Sequence, residues 1–295
     1  MIIEAVPNFS EGRRPEVCRA LAEAAKASGA SVLDLTWDSD HHRSVLTFAG
    51  TPDAVERAAF AVALVALAKI DLTRHQGRHP RMGAIDVLPF IPLRDATMAD
   101  AVALSRAVGA RLGSELGLPV FLYEAAATKP ERRNLADVRA PQFEGLRDLL
   151  GKDPARVPDF GPNRIHPTGG AVAVGARMPL IAFNLDLETQ DVDVAREIAR
   201  TIRERDGGLP GIKALGLSLE QRKCAQVSMN VCDYTKTGLL DVYAAVERLA
   251  ERLGTSIRAG ELIGLLPRAA FPPDGARRLK LTGFDDSRIL ENRLP

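Results

Sequence analysis

The order of strand-like and helix-like segments constrains the fold of this chain more than any other feature. Short β-branched or alternating runs predict strands, and longer apolar runs with capping residues predict helices. The first half contains strand, helix, strand, strand, helix and strand at residues 2–6, 17–27, 31–35, 44–48, 51–70 and 85–91. A helix at 97–116 and a strand at 120–123 follow.

The second half repeats this order. Its segments are strand, helix, strand, strand, helix and a weak apolar run at residues 180–187, 192–204, 212–217, 225–231, 239–253 and 262–266. Both halves approximate the split βαβ unit, and 295 residues are many for one hydrophobic core. We therefore predict an α/β fold of the α+β type with two ferredoxin-like sandwich subdomains. The loop-rich segment 154–170 is the candidate boundary.

Charge and cysteine content restrict the partners and the compartment. The formal net charge of +1 predicts no nucleic-acid partner, and the longest apolar stretch, residues 58–68, is too short to span a membrane. The three cysteines form no CxxC pair, which favours a reducing compartment over a disulfide framework. Together with an N-terminus that does not resemble a signal peptide, this predicts a cytoplasmic protein.

Residues 74–83, RHQGRHPRMG, are the first candidate for chemistry. His75 and His79 are four apart, but Gly77 and Pro80 disfavour the continuous helix of a zinc protease, and we expect no metal here. Arg78 and Arg81 would favour the neutral form of the His79 imidazole, as a general base requires. The residues alone leave two alternatives: a loop that presents an acid–base histidine, and a solvated basic turn.

Two further segments could contact a ligand. In residues 159–170, several glycines allow backbone amides to approach a ligand closely, but the same composition suits a linker. Strand alternation places polar side chains on one face of two predicted strands: Asn184, Gln226, Ser228 and Asn230. This face is either solvated or a cleft wall suited to a polar heterocycle or an amino-acid backbone.

Five blocks in order resemble the glutamate formimidoyltransferase (formiminotransferase) family. They are VPNFSEG at 6–12, RHQGRHPRMGAID at 74–86, PDFGP at 158–162, IAFNL at 181–185 and AQVSMN at 225–230. The family transfers a formimidoyl group between 5-formimidoyltetrahydrofolate and L-glutamate, in histidine degradation and one-carbon metabolism. The resemblance implies an N-terminal subdomain at 1–177, a C-terminal subdomain at 178–295, a folate groove between them and a homodimer.

The resemblance also assigns residues. The catalytic histidine corresponds to His79, and a tetrahydrofolate derivative is the co-substrate, with no metal. The family's folate loop corresponds to Gly161, Pro162, Asn163, Arg164, Ile165, His166, Pro167, Thr168, Gly169 and Gly170. We expect substrate contacts from Asn8, Arg43, Arg78, Arg81, Asn184, Gln226, Ser228 and Asn230.

The chain also departs from the family pattern. Animal members have an acidic residue near Thr36 and an Asn near His42, so Asp38 or Asp40 would have to supply an acidic helper. The loop residues 163–166 are larger and more charged than expected. Animal members continue into a cyclodeaminase domain, and we expect a monofunctional form here. A formyl donor and a non-catalytic folate-binding protein remain as alternatives.

Overall fold

The computed structural model describes residues 1–39, 41–77, 80–220 and 222–294. These residues form two compact units, Met1–Arg177 (unit 1) and Met178–Leu294 (unit 2). Each unit has its own sheet and its own hydrophobic core.

Unit 1 contains one sheet of seven strands within its described residues. The strands are β1 Ile3–Ala5, β2 Asn8–Phe9, β3 Ser31–Asp38, β4 Arg43–Gly50, β5 Ile85–Pro92, β6 Val120–Glu124 and β7 Val172–Ala176. The helices are α1 Pro15–Ala27, α2 Pro52–Lys69, α3 Met98–Leu116, α4 Leu135–Arg139 and α5 Gln142–Leu149. Both β1 and β2 pair with β4 on one side and β5 on the other.

The strand order confirms the ferredoxin-like prediction for unit 1. If β1 and β2 count as one interrupted strand, the first four strands lie in the order fourth, first, third, second, and all are antiparallel. Beyond β5, the sheet is extended by β7 and then β6, both in parallel pairing. This extension explains the additional helix and strand that the sequence predicts at 97–123.

Capping residues determine where the long helices of unit 1 begin. The Thr51 hydroxyl accepts a hydrogen bond from the Ala54 N–H at 3.4 Å, and Pro52 is the first helical residue of α2. Helix α3 begins with a capping box of Thr97 and Asp100, and it ends at Gly117 with a left-handed φ of 63°.

The two faces of this sheet are covered differently. Helices α1, α2 and α3 pack on one face over the main core. The opposite face has a smaller cluster, to which β6 contributes Phe121 and Tyr123 and the short helices α4 and α5 contribute Val138 and Leu146. Asn8 points to this second face, because its cross-strand neighbour Val87 belongs to the smaller cluster.

Unit 2 has the same strand order. Its elements are β8 Ile181–Leu187, α6 Val192–Ile202, β9 Ile212–Leu219, β10 Cys224–Val231, α7 Leu239–Arg252, β11 Ile257–Ile263 and the short α8 Gly275–Arg278. The strands lie in the order β11–β8–β10–β9, again fourth, first, third, second, and every pair is antiparallel. Helices α6 and α7 bury the apolar side chains of alternate strand positions.

The prediction of a boundary at 154–170 is wrong, because this segment lies inside unit 1. The buried Asp159 carboxylate accepts the Leu122 N–H at 2.7 Å and a hydrogen bond from Arg132 Nη1 at 2.6 Å. Phe160 forms a β-bridge with Val120. These contacts attach the segment to β6, so its prolines and glycines shape a bound loop rather than a linker.

The last predicted strand was misplaced. The weak apolar run at 262–266 overlaps only the end of β11, which spans Ile257–Ile263 and pairs with β8. Arg258, Gly260 and Glu261 interrupt its apolar alternation, so the pattern alone does not reveal it. Strand β7 and the short helices α4 and α5 were not predicted from the sequence.

Candidate active site

The predicted catalytic residue, His79, and its neighbour Arg78 lie outside the described residues. The residues on both sides of them are described, and they form hydrogen bonds with other parts of unit 1.

A buried carboxylate organises the polar side chains on the second face of the unit 1 sheet. Asp86 lies in β5, and its side chain is 1% exposed. It accepts hydrogen bonds from the Met82 N–H at 2.7 Å, from Arg43 Nη1 at 3.2 Å and from Arg139 Nη2 at 3.0 Å. Since two guanidinium groups share one carboxylate, their positive charge is only partly neutralised.

Asn8 completes this group, which we call the Asp86 cluster: Asn8, Arg43, Asp86 and Arg139. Its amide oxygen accepts from Arg43 Nη2, and its amide nitrogen donates to the Val6 carbonyl at 2.8 Å. Burial lowers the pKa of Arg43 to about 10, although the adjacent Asp86 carboxylate opposes this shift. Arg43 remains cationic at neutral pH and is suited to hold a carboxylate ligand.

Arg81, another predicted contact, already has a carboxylate partner. Its two terminal nitrogens donate to both oxygens of Glu144 in α5, at 2.8 and 2.6 Å, and its Nε donates to His75 Nδ1 at 3.2 Å. The hydrogen bonds from Arg81 lower the pKa of Glu144. Arg81 therefore attaches the segment after His79 to α5.

The structure brings the predicted folate loop beside the histidine block. Gly83 and Gly170 form an antiparallel β-bridge, and the Ala84 N–H donates to the Gly169 carbonyl at 2.8 Å. The end of loop 161–170 thus runs along the residues that follow His79, although the two segments are far apart in sequence.

Several loop residues shape the loop itself. His166 Nδ1 accepts the Gly169 N–H at 2.8 Å, and burial lowers the pKa of His166. Asn163 Oδ1 accepts the Gly151 N–H at 3.2 Å, while Arg164 is exposed. The other loop residues between Gly161 and Gly169 are half-buried or exposed: Pro162, Ile165, Pro167 and Thr168.

The four polar residues predicted on unit 2 do share one sheet face. Asn184 lies directly opposite Ser228 in the β8–β10 pairing, and Gln226 lies opposite Asp186. Gln226 is buried, and its amide donates to Asp186 Oδ1 at 2.7 Å. Asn230 is exposed, and Ser228 and Asn184 are half-buried, so these three are the more accessible groups of this face.

Several residues of the site were not predicted from the sequence. Asp86 had a signal, because it is the one charged residue in the apolar run at 85–92. Arg139 and Glu144 had none, since their partners lie 53 and 63 residues away. Asp38, proposed as an acidic helper, accepts both the backbone N–H and the ring Nδ1 of His41, and Asp40 lies outside the described residues.

The described part of the chain contains neither a metal-ligand cluster nor a helix able to cross a membrane. Over residues 1–39, 41–77, 80–220 and 222–294, no group of three or more His, Cys, Asp or Glu side chains is arranged to hold a metal ion. Over the same ranges, no helix combines the length and the apolar composition needed to cross a membrane.

The fold defines a two-unit α/β protein of the ferredoxin-like type, and the Asp86 cluster suits an anionic small ligand. Comparison with family models specifies the class further. Residues 2–177 match the formiminotransferase domain, N-terminal subdomain, and residues 182–276 match the formiminotransferase domain. The chain therefore belongs to the formiminotransferase family, and the resemblance seen in the sequence blocks is confirmed.

Curated relatives extend over nearly the whole chain. A glutamate formimidoyltransferase of Streptococcus pyogenes serotype M1 is 45% identical over 99% of this chain and 98% of its own length. One from Thermoplasma acidophilum is 40% identical over 99% of this chain and 97% of its own length. The formimidoyltransferase-cyclodeaminase of Gallus gallus is 42% identical over 92% of this chain, but over 51% of its own length.

Proposed function

We propose that this chain is a transferase that moves the formimidoyl group between 5-formimidoyltetrahydrofolate and L-glutamate. The products are N-formimidoyl-L-glutamate and tetrahydrofolate in one direction. Family membership and the names of the full-length relatives support this activity. The observation that carries it is the pairing of the predicted folate loop with the residues after His79, through Gly83 and Gly170.

His79 is the acid–base group of the proposed reaction. The glutamate amine attacks the amidine carbon and gives its proton to the imidazole. The imidazole then protonates N5 of the folate as the bond between that nitrogen and the carbon breaks. One imidazole can perform both transfers in turn, which contributes about 10²–10⁴-fold to the rate. The remaining acceleration comes from positioning.

The charged and polar side chains would hold the two substrates. Arg43, supported by Asp86 and Arg139, would bind a carboxylate of glutamate. The exposed Arg164 would bind the carboxylate tail of folate. In unit 2, Asn184, Ser228 and Asn230 offer neutral donors and acceptors for a polar heterocycle, whereas Gln226 would act through Asp186.

The wider setting is part of the same proposal. The segments 1–177 and 178–295 would be the N- and C-terminal subdomains of a homodimeric enzyme in histidine degradation and one-carbon metabolism. Cys18, Cys224 and Cys232 form no disulfide bond, which suits the cytoplasm. A metal is not needed for the reaction as written.

Transfer kinetics of His79→Ala test the mechanism. We expect the variant to lose at least about 100-fold in kcat while it still binds tetrahydrofolate, because the imidazole moves protons and does not hold the pterin. Each donor, 5-formimidoyl- and 5-formyltetrahydrofolate, is assayed with glutamate, with and without a chelator. An unchanged kcat in the variant would refute the role of His79.

The other outcomes decide between classes of protein. Turnover only with the formyl donor would indicate a formyltransferase, and folate binding without turnover of either donor would indicate a binding protein. Loss of activity with the chelator would indicate a metal-dependent reaction. The first two results contradict the proposed activity, and the third contradicts a reaction without a metal.

A further inference from the structure

Two imidazole rings stack beside the segment that leads to His79. The rings of His42 and His75 lie 4.2 Å apart between centroids and 10° from parallel. The His42 side chain is 13% exposed, and His75 is 8% exposed. His42 has a left-handed φ of 52°, which is uncommon for a residue other than glycine.

Both ring nitrogens of His42 face hydrogen-bond acceptors. Nδ1 lies 3.0 Å from the Gln76 carbonyl oxygen, and Nε2 lies 3.2 Å from Glu11 Oε1. A neutral imidazole has only one N–H, whereas the imidazolium donates from both nitrogens. The His42 ring is therefore held between a carbonyl and a carboxylate, with an acceptor at each nitrogen.

The Glu11 carboxylate is fixed in its ionised form. Its side chain is 1% exposed, and burial alone would raise its pKa. Hydrogen bonds from the backbone N–H groups of Arg13 and Arg14 and from the Arg14 guanidinium outweigh this effect, so the pKa lies below its usual value. Glu11 thus provides a stable anion for His42.

The two ring nitrogens of His75 have different roles, one as a donor and one as an acceptor. Its Nε2 lies 3.1 Å from the His42 carbonyl oxygen and must donate, while its Nδ1 accepts from Arg81 Nε. These partners define a neutral ring protonated at Nε2, and burial lowers the pKa of His75 accordingly.

These contacts anchor the chain on both sides of Arg78 and His79. Before them, the Gln76 carbonyl accepts from His42, and Gly77 packs so closely that an added Cβ would lie 2.6 Å from the His41 carbonyl oxygen. After them, Arg81 is held by His75 and Glu144. The contacts before this pair thus involve His42, and those after it involve His75, and the two rings stack on each other.

We propose that His42, held by Glu11, is a positioning residue that sets the direction in which this segment presents His79 to the reacting nitrogen atoms. This inference rests on the proposed function. The charged and titratable groups around the His42 ring are Glu11, its partner Arg14, His75 and, through His75, Arg81. If His42 acts by positioning alone, its loss should lower kcat and leave KM nearly unchanged.

The test is His42→Gly with added imidazole. Glycine tolerates the positive φ, so the backbone can keep its course and a space for imidazole remains. We expect kcat to fall about 10–100-fold, with KM for both substrates within about twofold, because small displacements of reacting groups are costly. Added imidazole should restore at least about a third of that loss on a logarithmic scale.

Two controls separate positioning from other roles. N-methylimidazole is a base of similar strength, but its methyl group blocks one of the two ring nitrogens, so it cannot contact both Glu11 and Gln76 and should not rescue His42→Gly. His41→Gln alters the adjacent histidine, whose exposed ring is bonded to the exposed Asp38, and should leave kcat unchanged.

Several results would overturn the inference. They are an unchanged kcat in His42→Gly, equal rescue by both imidazoles, or loss of kcat only in parallel with a lower thermal midpoint. His42→Gln provides a second variant: its amide nitrogen can donate to one of the two acceptors, but its amide oxygen would face the other, so kcat should fall here too. If neither donor is turned over by the unaltered protein, the proposed function fails; if only the His42 variants are unaffected, the positioning role alone fails.

Discussion

At the scale of single residues, sequence spacing identified the types of side chain but not their partners. Arg81 was expected to bind a substrate carboxylate, yet Glu144, 63 residues further along the chain, occupies its guanidinium. Arg43 was predicted for the same task and does belong to a cationic cluster, but one organised by Asp86. Hydrogen-bond partners so distant in sequence are defined only when the chain folds.

The buried ring of His75 gives a prediction for pH dependence. Its pKa lies below the usual value of 6.5 because burial disfavours the cation. The folded protein then binds this proton more weakly than the unfolded chain does. The contribution of the neutral His75 ring to the free energy of unfolding is therefore fully present above pH 6.5 and is lost as the pH falls through the folded-state pKa. We expect the His75 ring resonances to titrate with a midpoint below 6.5.

The matched comparison is the free energy of unfolding of His75→Phe over the same pH range. Phenylalanine keeps a ring in the stack but does not titrate, so the variant should lose less stability between neutral and acidic pH than the unaltered protein. A midpoint for His75 at or above 6.5, or identical pH slopes for both proteins, would contradict the prediction.

At the scale of elements, the sequence predicted correctly those features that depend on residues close together in the chain. Thr51 with Pro52, and Thr97 with Asp100, mark helix starts by chemistry within four residues. Strands β7 and β11 were missed or misplaced because their stability comes from neighbours: β7 lies between β5 and β6 in parallel pairing, and β11 pairs with β8. A short strand of this kind has little periodicity of its own.

The loop that carries Gly161 gives a prediction for stability. Gly161 has a φ of 81°, and an added Cβ would lie 2.0 Å from the Leu118 carbonyl oxygen. Gly161→Ala should therefore lower the free energy of unfolding by about 3 kcal/mol, since left-handed strain costs about 1–2 kcal/mol and overpacking adds about 1–3 kcal/mol. Urea unfolding measures the difference.

Gly117 is the matched control. It also has a positive φ, 63°, but an added Cβ would meet no atom within 4 Å. Gly117→Ala should cost only the left-handed strain, about 1–2 kcal/mol. Equal losses in the two variants would show that the close approach to Leu118 does not matter.

At the scale of the whole molecule, each unit has a core that the other does not share. The core of unit 2 is formed by alternate strand residues, including Phe183 and Val227, with α6 and α7. We therefore expect a fragment of residues 178–294 to fold and to unfold cooperatively on heating. It should catalyse no transfer, because it lacks His79.

Circular dichroism during heating checks this prediction. Phe183→Ala in the same fragment is the control, because removing a fully buried ring costs about 3–5 kcal/mol and should abolish or strongly lower the transition. A fragment without a cooperative transition would show that unit 2 depends on the rest of the chain for its stability.

The sequence by itself determined the family, the α/β class, the repeated strand order and the helix starts, because these depend on local patterns and on short blocks read in order. Only the tertiary structure decided that residues 154–170 belong to unit 1, that the end of loop 161–170 lies beside Gly83, and that Asp86 binds two arginines. It alone revealed the stacked imidazoles beside the histidine block. These features are contacts between segments separated by tens of residues, and a linear pattern carries no record of such contacts.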